Sequence, residues 1–154
     1  MIFMDKKKAI ILILIFILIV IGVFVFYESS LSQKVKVGDS YFTIPKEFQK
    51  EDISENLVRF INNDKILFIN GDINTSDIDS SVSNYVKFKN QSENLSIEVH
   101  KFDLDGLTVY KSVVQNNSSV VHYWFIKDDH IYEIYTPTFD SDMESLILDI
   151  IKSK

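Results

Sequence analysis

The chain has 154 residues, 16 basic and 22 acidic side chains, and no cysteine. Its formal charge of −6 works against binding to nucleic acid, and the missing thiols exclude disulfides, thiolate metal sites and a lipid-modified N-terminal cysteine. Twelve Phe, seven Tyr and one Trp are the material for a core that must hold without covalent staples.

Residues 9–27 carry no charge, and only Gly22 interrupts their Ile, Leu, Val and Phe. At about 1.5 Å per residue a helix of that length reaches roughly 28 Å, close to the apolar thickness of a bilayer. A cleaved export signal has a shorter apolar region and small residues at its cleavage site. Phe26, Tyr27 and Glu28 stand there instead, so the expectation is an uncleaved anchor. Lys6, Lys7 and Lys8 precede the span and would hold the N-terminus in the cytoplasm, leaving the rest outside. With no ionisable side chain within it, the span reads as a tether. The expected organisation is a basic tip over 1–8, an anchor over 9–27, a polar stalk over 28–33 and one outer domain over 34–154. With Asp5 and the three lysines set aside, the chain from Glu28 onward keeps 13 basic and 21 acidic side chains, a net charge of −8.

Strand patterns over 34–37 and 41–44 flank Gly38-Asp39 and predict a small hairpin ended by Pro45. The polar stretch 46–56 reads as a loop or a short helical turn around Phe48 and Ile53. Residues 57–61 and 66–69 alternate about an Asn62-Asn63-Asp64-Lys65 turn and predict a second hairpin, closed by Gly71. The period then changes: Ile78, Val82, Tyr85 and Val86 share one helical face, with Ser76 or Asp77 as N-cap. Strand patterns return over 95–100, 107–115, 120–126 and 130–135, with turns at Asp105-Gly106, 116–118 and Asp128-Asp129. Ser141 and Glu144 have capping-box spacing ahead of Met143, Leu146, Ile147, Ile150 and Ile151, the apolar stripe of a closing helix.

The fold class is therefore α+β: an N-terminal membrane helix, then one domain with a central antiparallel sheet and two packed helices. The stretches "VGDSYFTIPKEF", "LDGLTVYKSVVQ", "HYWFIKDDHIYEIYT" and "MESLILDIIKS" resemble the PsbP-like α/β sandwich. They are similar in particular to small membrane-anchored proteins of unknown function from methane-producing archaea. The resemblance implies a docking or accessory module and brings no catalytic residue with it.

No pattern in the chain identifies a catalytic, cofactor or metal site. With a two-residue Asp128-Asp129 loop, His122 lies opposite Tyr135, and His122 and His130 face opposite sides of the sheet, so they do not share a metal. Asp72, Asn74 and Ser76 have the start of a calcium loop, but Asp77 stands where Gly is needed and Ser83 where a bidentate Glu is needed. Asn74, Asn90, Asn94, Asn116 and Asn117 begin glycosylation triplets, which chance in an Asn- and Ser-rich chain also explains. One strand-hairpin face, Tyr123, Phe125, Tyr132 and Ile134, is core-like. The other carries His122, Trp124, Glu133 and Tyr135, and is either a second core layer or a partner-binding surface. The expected function is a non-catalytic binding or scaffold module of the cell envelope, meeting a protein partner. The alternatives are an envelope hydrolase using carboxylates or a receptor for a small ligand.

Overall fold

The computed structural model describes residues 6–71, 73, 77–93, 95–114 and 117–153, without the side chains of 6–9, 12, 24–30 and 117–119. Helix α1 runs over Lys6–Leu31 and passes directly into strand β1, Ser32–Val37. The stalk expected over 28–33 is thus the last helical turn followed by the first strand residues. The described side chains of α1 are exposed, Ile17 at 46 % and Leu18 at 68 % bounding the large ones between positions 10 and 23. Among the described residues no helix is long and apolar enough to cross a membrane.

β1 pairs with β2, Ser40–Pro45, as a separate antiparallel hairpin turned at Gly38, whose φ is 56°. The main sheet has seven antiparallel strands: β3 (Gln49–Asp52), β4 (Leu57–Asn62), β5 (Lys65–Asn70), β6 (Ile97–Leu104), β7 (Leu107–Val114), β8 (Asn117–Lys127) and β9 (His130–Thr136). Their spatial order is β3-β4-β5-β9-β8-β7-β6. One meander runs from an edge to the centre. Helix α2, Ile78–Ser92, then carries the chain to the far edge, and a second meander returns until β9 pairs with β5. Helix α3, Ser141–Lys152, closes the chain.

β3 is the element that the sequence hid. Its four residues, Gln49-Lys50-Glu51-Asp52, are all exposed and charged or polar, so no alternation marks them. The strand exists because β4 offers it an open edge, with Gln49 opposite Ile61 and Asp52 opposite Val58. Charged side chains also suit an edge that must not recruit another chain. The Asp128-Asp129 turn has φ of 49° and 64°, the paired left-handed residues of a tight hairpin, a conformation Asp tolerates.

The sheet is covered on both faces. α3 and the β1–β2 hairpin bury Tyr123, Phe125, Tyr132 and Ile134 against Met143, Ile147, Ile150 and Ile151, so the core-like face is core. α2 covers the other face with Ile78 and Val82 packed on Tyr110 and Trp124. The capping expectations are partly corrected. Asp77 caps α2, accepting from the Ser80 amide at 2.7 Å. For α3 the cap is Asp140, accepting from the Met143 amide at 2.7 Å, not Ser141. Glu144 is thereby freed from a capping box and accepts from Lys111 Nζ at 2.6 Å and the Tyr123 hydroxyl at 3.2 Å.

Candidate functional site

The register expected for the last hairpin holds: Lys127 pairs with His130, and His122 with Tyr135. Ladder pairing then extends that row across the sheet. Phe68 on β5, Tyr135 on β9, His122 on β8 and Ser112 on β7 are consecutive partners on one face. Trp124 opposes Glu133 in the neighbouring row, between Asn70 and Tyr110. Such cross-strand neighbours are the stabilising unit of a sheet. Here most of them are aromatic.

The rings form a continuous stack. Phe68 and Tyr135 lie parallel with centroids 4.5 Å apart, Tyr135 and His122 follow at 5.1 Å, and His122 and Trp124 at 5.5 Å. Tyr85, one turn beyond Val82 on α2, leans onto both His122 (4.6 Å) and Trp124 (4.9 Å). Within this stack, His122 Nδ1 and Glu133 Oε1 are 2.5 Å apart, and both side chains are nearly enclosed, 12 % and 15 % exposed. Glu133 Oε1 is placed to accept from the Nδ1–H of the imidazole.

Burial also sets the phenols. The Tyr85 hydroxyl is buried and, among the described residues, has no hydrogen-bonding partner of ordinary geometry. Its pKa is pushed up to about 12, first by burial and further by the charge of Glu133, with the nearby Ser112 hydroxyl opposing. Burial, then Glu133, likewise raises Tyr135. The phenol and the carboxylate-held imidazole form a polar inclusion between α2 and the sheet.

Of the residues expected to form a partner-binding surface, His122, Trp124, Glu133 and Tyr135 do come together. They do not present a flat patch. Trp124 is only 2 % exposed beneath α2, so this face is a second core layer with a polar seam. Sequence reasoning missed Tyr85, Ser112 and Phe68 as members. Tyr85 was legible as part of the α2 stripe, whereas Ser112 and Phe68 enter only through the order of strands. His130 sits apart, 3.7 Å from Asp39. Asn90 is an exposed residue of α2. Asn74, Asn94, Asn116 and the calcium-loop residues Asp72 and Ser76 lie outside the described residues, as does the side chain of Asn117.

No family model matches the chain, and no curated protein does. Among solved structures, the chain is similar to cyanobacterial PsbP (CyanoP) from Synechocystis sp. PCC 6803. That likeness has 16 % identity and a TM-score of 0.48, and covers 79 % of this chain and 90 % of the other. The α+β architecture rests on the strand order and the helices that cover the sheet, not on this likeness. Membrane anchoring and the likeness to archaeal proteins have no counterpart in these comparisons.

Proposed function

We propose that the chain is a single-pass membrane protein whose α+β domain faces away from the cytoplasm and binds or scaffolds an envelope protein, without catalysis. The observation that carries this reading is the state of α1. Its described side chains are apolar, and they stand exposed where the folded domain leaves them uncovered. An apolar surface of that extent calls for a nonaqueous covering. The sequence supplies the rest of the span, and the lysines ahead of it supply the orientation. The likeness to anchored archaeal proteins belongs to the same reading.

The two-sided packing of the sheet supports a scaffold role, because it makes a stiff body directly continuous with the helix. The partner would meet the acidic outer surface; Trp124 is not part of that contact.

Fractionation tests the anchor: the protein should stay with membranes through an alkaline carbonate wash. Release into the medium with a new N-terminus near Ser29 would overturn it. Protease added to intact cells should digest the domain, and complete protection would reverse the orientation. Chemical crosslinking in native membranes, followed by isolation of the chain, should then yield a discrete envelope protein.

A further inference from the structure

A broad concavity of the domain lies away from the aromatic seam. It is a cleft of ≈ 950 Å³ between the β1–β2 hairpin, the C-terminal end of α3, and the turns that join β6 to β7 and β8 to β9. Its volume is in the range of small-molecule sites. Two of its walls are large apolar side chains left in the open: Tyr41, 54 % exposed, and Ile126, 44 % exposed. Leu107 and Ile151 continue the apolar lining.

Three ammonium groups belong to the same cleft, Lys34, Lys127 and Lys152, in a domain that is otherwise strongly acidic. Lys34 makes no ion pair among the described residues. Lys127 rests over the Phe42 ring at 5.3 Å and donates to the Ser153 carbonyl, which also uses the acceptor at the end of α3. Lys152 is paired with Asp149 at 3.1 Å. Against them stand Asp105 and Asp128 on the two turns. With Lys152 offset by Asp149, Lys34 and Lys127 face Asp105 and Asp128, and Lys34 stands exposed beside the apolar lining.

We infer that this cleft binds a singly charged anionic amphiphile, a single-chain carboxylate whose head meets Lys34 and Lys127 and whose chain lies along Tyr41 and Ile126. Lys34, without an ion pair among the described residues, can meet one negative charge; a second would face Asp105 and Asp128 unpaired. The exposed apolar walls select a chain over a small anion such as acetate. Burial already lowers the pKa of Lys127, Asp128 opposes that, and Lys34 adds to it by repulsion. A carboxylate placed between the two lysines relieves that repulsion. The site lies wholly in the domain, so it does not depend on α1 crossing a membrane.

The test uses the full chain in zwitterionic lipid nanodiscs, with decanoate as probe and decanol and acetate as controls, read by backbone amide shifts. Partition into protein-free nanodiscs is subtracted. Decanoate should shift the amides of Leu107, Ile126 and Ser153 saturably, while acetate and decanol do not. Lys127→Gln and Lys34→Gln should each weaken decanoate about tenfold, the effect expected of one charge-assisted contact. If Lys127→Gln fails to fold, the exposed Lys34→Gln decides alone. Equal binding of decanol, unchanged binding in Lys34→Gln, saturable shifts confined to another part of the domain, or no saturable shift would each overturn the assignment.

Discussion

Trp124 decides between the two readings of the mixed strand face. It is buried by α2, so Trp124→Ala should remove about 3–5 kcal/mol of stability, measured by thermal or denaturant unfolding. A loss below about 1 kcal/mol would mean that α2 does not cover it. Tyr85 calls for the opposite outcome. Its buried hydroxyl lacks a proper partner, so Tyr85→Phe should leave stability unchanged or raise it by up to about 1 kcal/mol. The same change should flatten the alkaline limb. Unfolded tyrosine titrates near about 10, and Tyr85 in the fold near about 12, so the unfolded state loses its proton first. Stability is therefore complete below about pH 10 and falls as pH rises toward 12, less steeply in the variant. Unfolding curves at pH 8 and 11 check both slopes. The four expected surface residues were legible as a group because alternation in one hairpin fixes which side chains share a face. Their burial was not legible. It depends on where α2 crosses, and no local pattern in β8 or β9 encodes that.

At the scale of elements, the closing helix is held by its stripe and by its cap. Ile147 and Ile150 are buried against the β1–β2 hairpin and the sheet, and truncating either to Ala should cost about 2–5 kcal/mol through lost burial and a cavity. The cap separates two adjacent residues. Asp140→Ala should cost about 1 kcal/mol, while Ser141→Ala should fall within about 0.5 kcal/mol of wild type. Equal effects at both positions would mean that the box is used after all. Most elements could be read in chain order because their apolar periods are clean: 3.6 for α2 and α3, and 2 for the hairpin strands. β3 could not, since a solvent-facing edge strand has no apolar period to show. The order of strands was also hidden. Local turns join neighbours within each meander, but the β5–β9 contact that unites them spans more than sixty residues and has no turn to announce it.

For the whole molecule, the mechanical question is how α1, at one end of the domain, is coupled to its centre. α1 passes directly into β1, and β1–β2 is not a member of the main sheet. Beyond apolar contact, and alongside the exposed His130–Asp39 pair and Lys127 over the Phe42 ring, the buried link between the two sheets is the hydroxyl of Tyr132. It accepts from the Ser40 amide at 3.0 Å and donates to the Val37 carbonyl at 3.2 Å, both at the turn of the outer hairpin. Two glycines make room for that ring. A Cβ on Gly71 would lie 2.7 Å from it, and one on Gly38 would lie 3.3 Å from its hydroxyl. Tyr132→Phe leaves the ring in place but orphans a buried amide, and should cost about 1–3 kcal/mol. Gly71→Ala forces the ring to move and should cost a similar amount, about 1–3 kcal/mol. Because the displaced ring already loses its two bonds in Gly71→Ala, the double variant should cost less than the two single losses together. Unfolding measurements on the three variants give that difference directly. Strictly additive losses would show that the ring keeps its bonds to the hairpin when it shifts, and that the coupling between the sheets resides in the apolar packing of Phe42 and Ile44 instead.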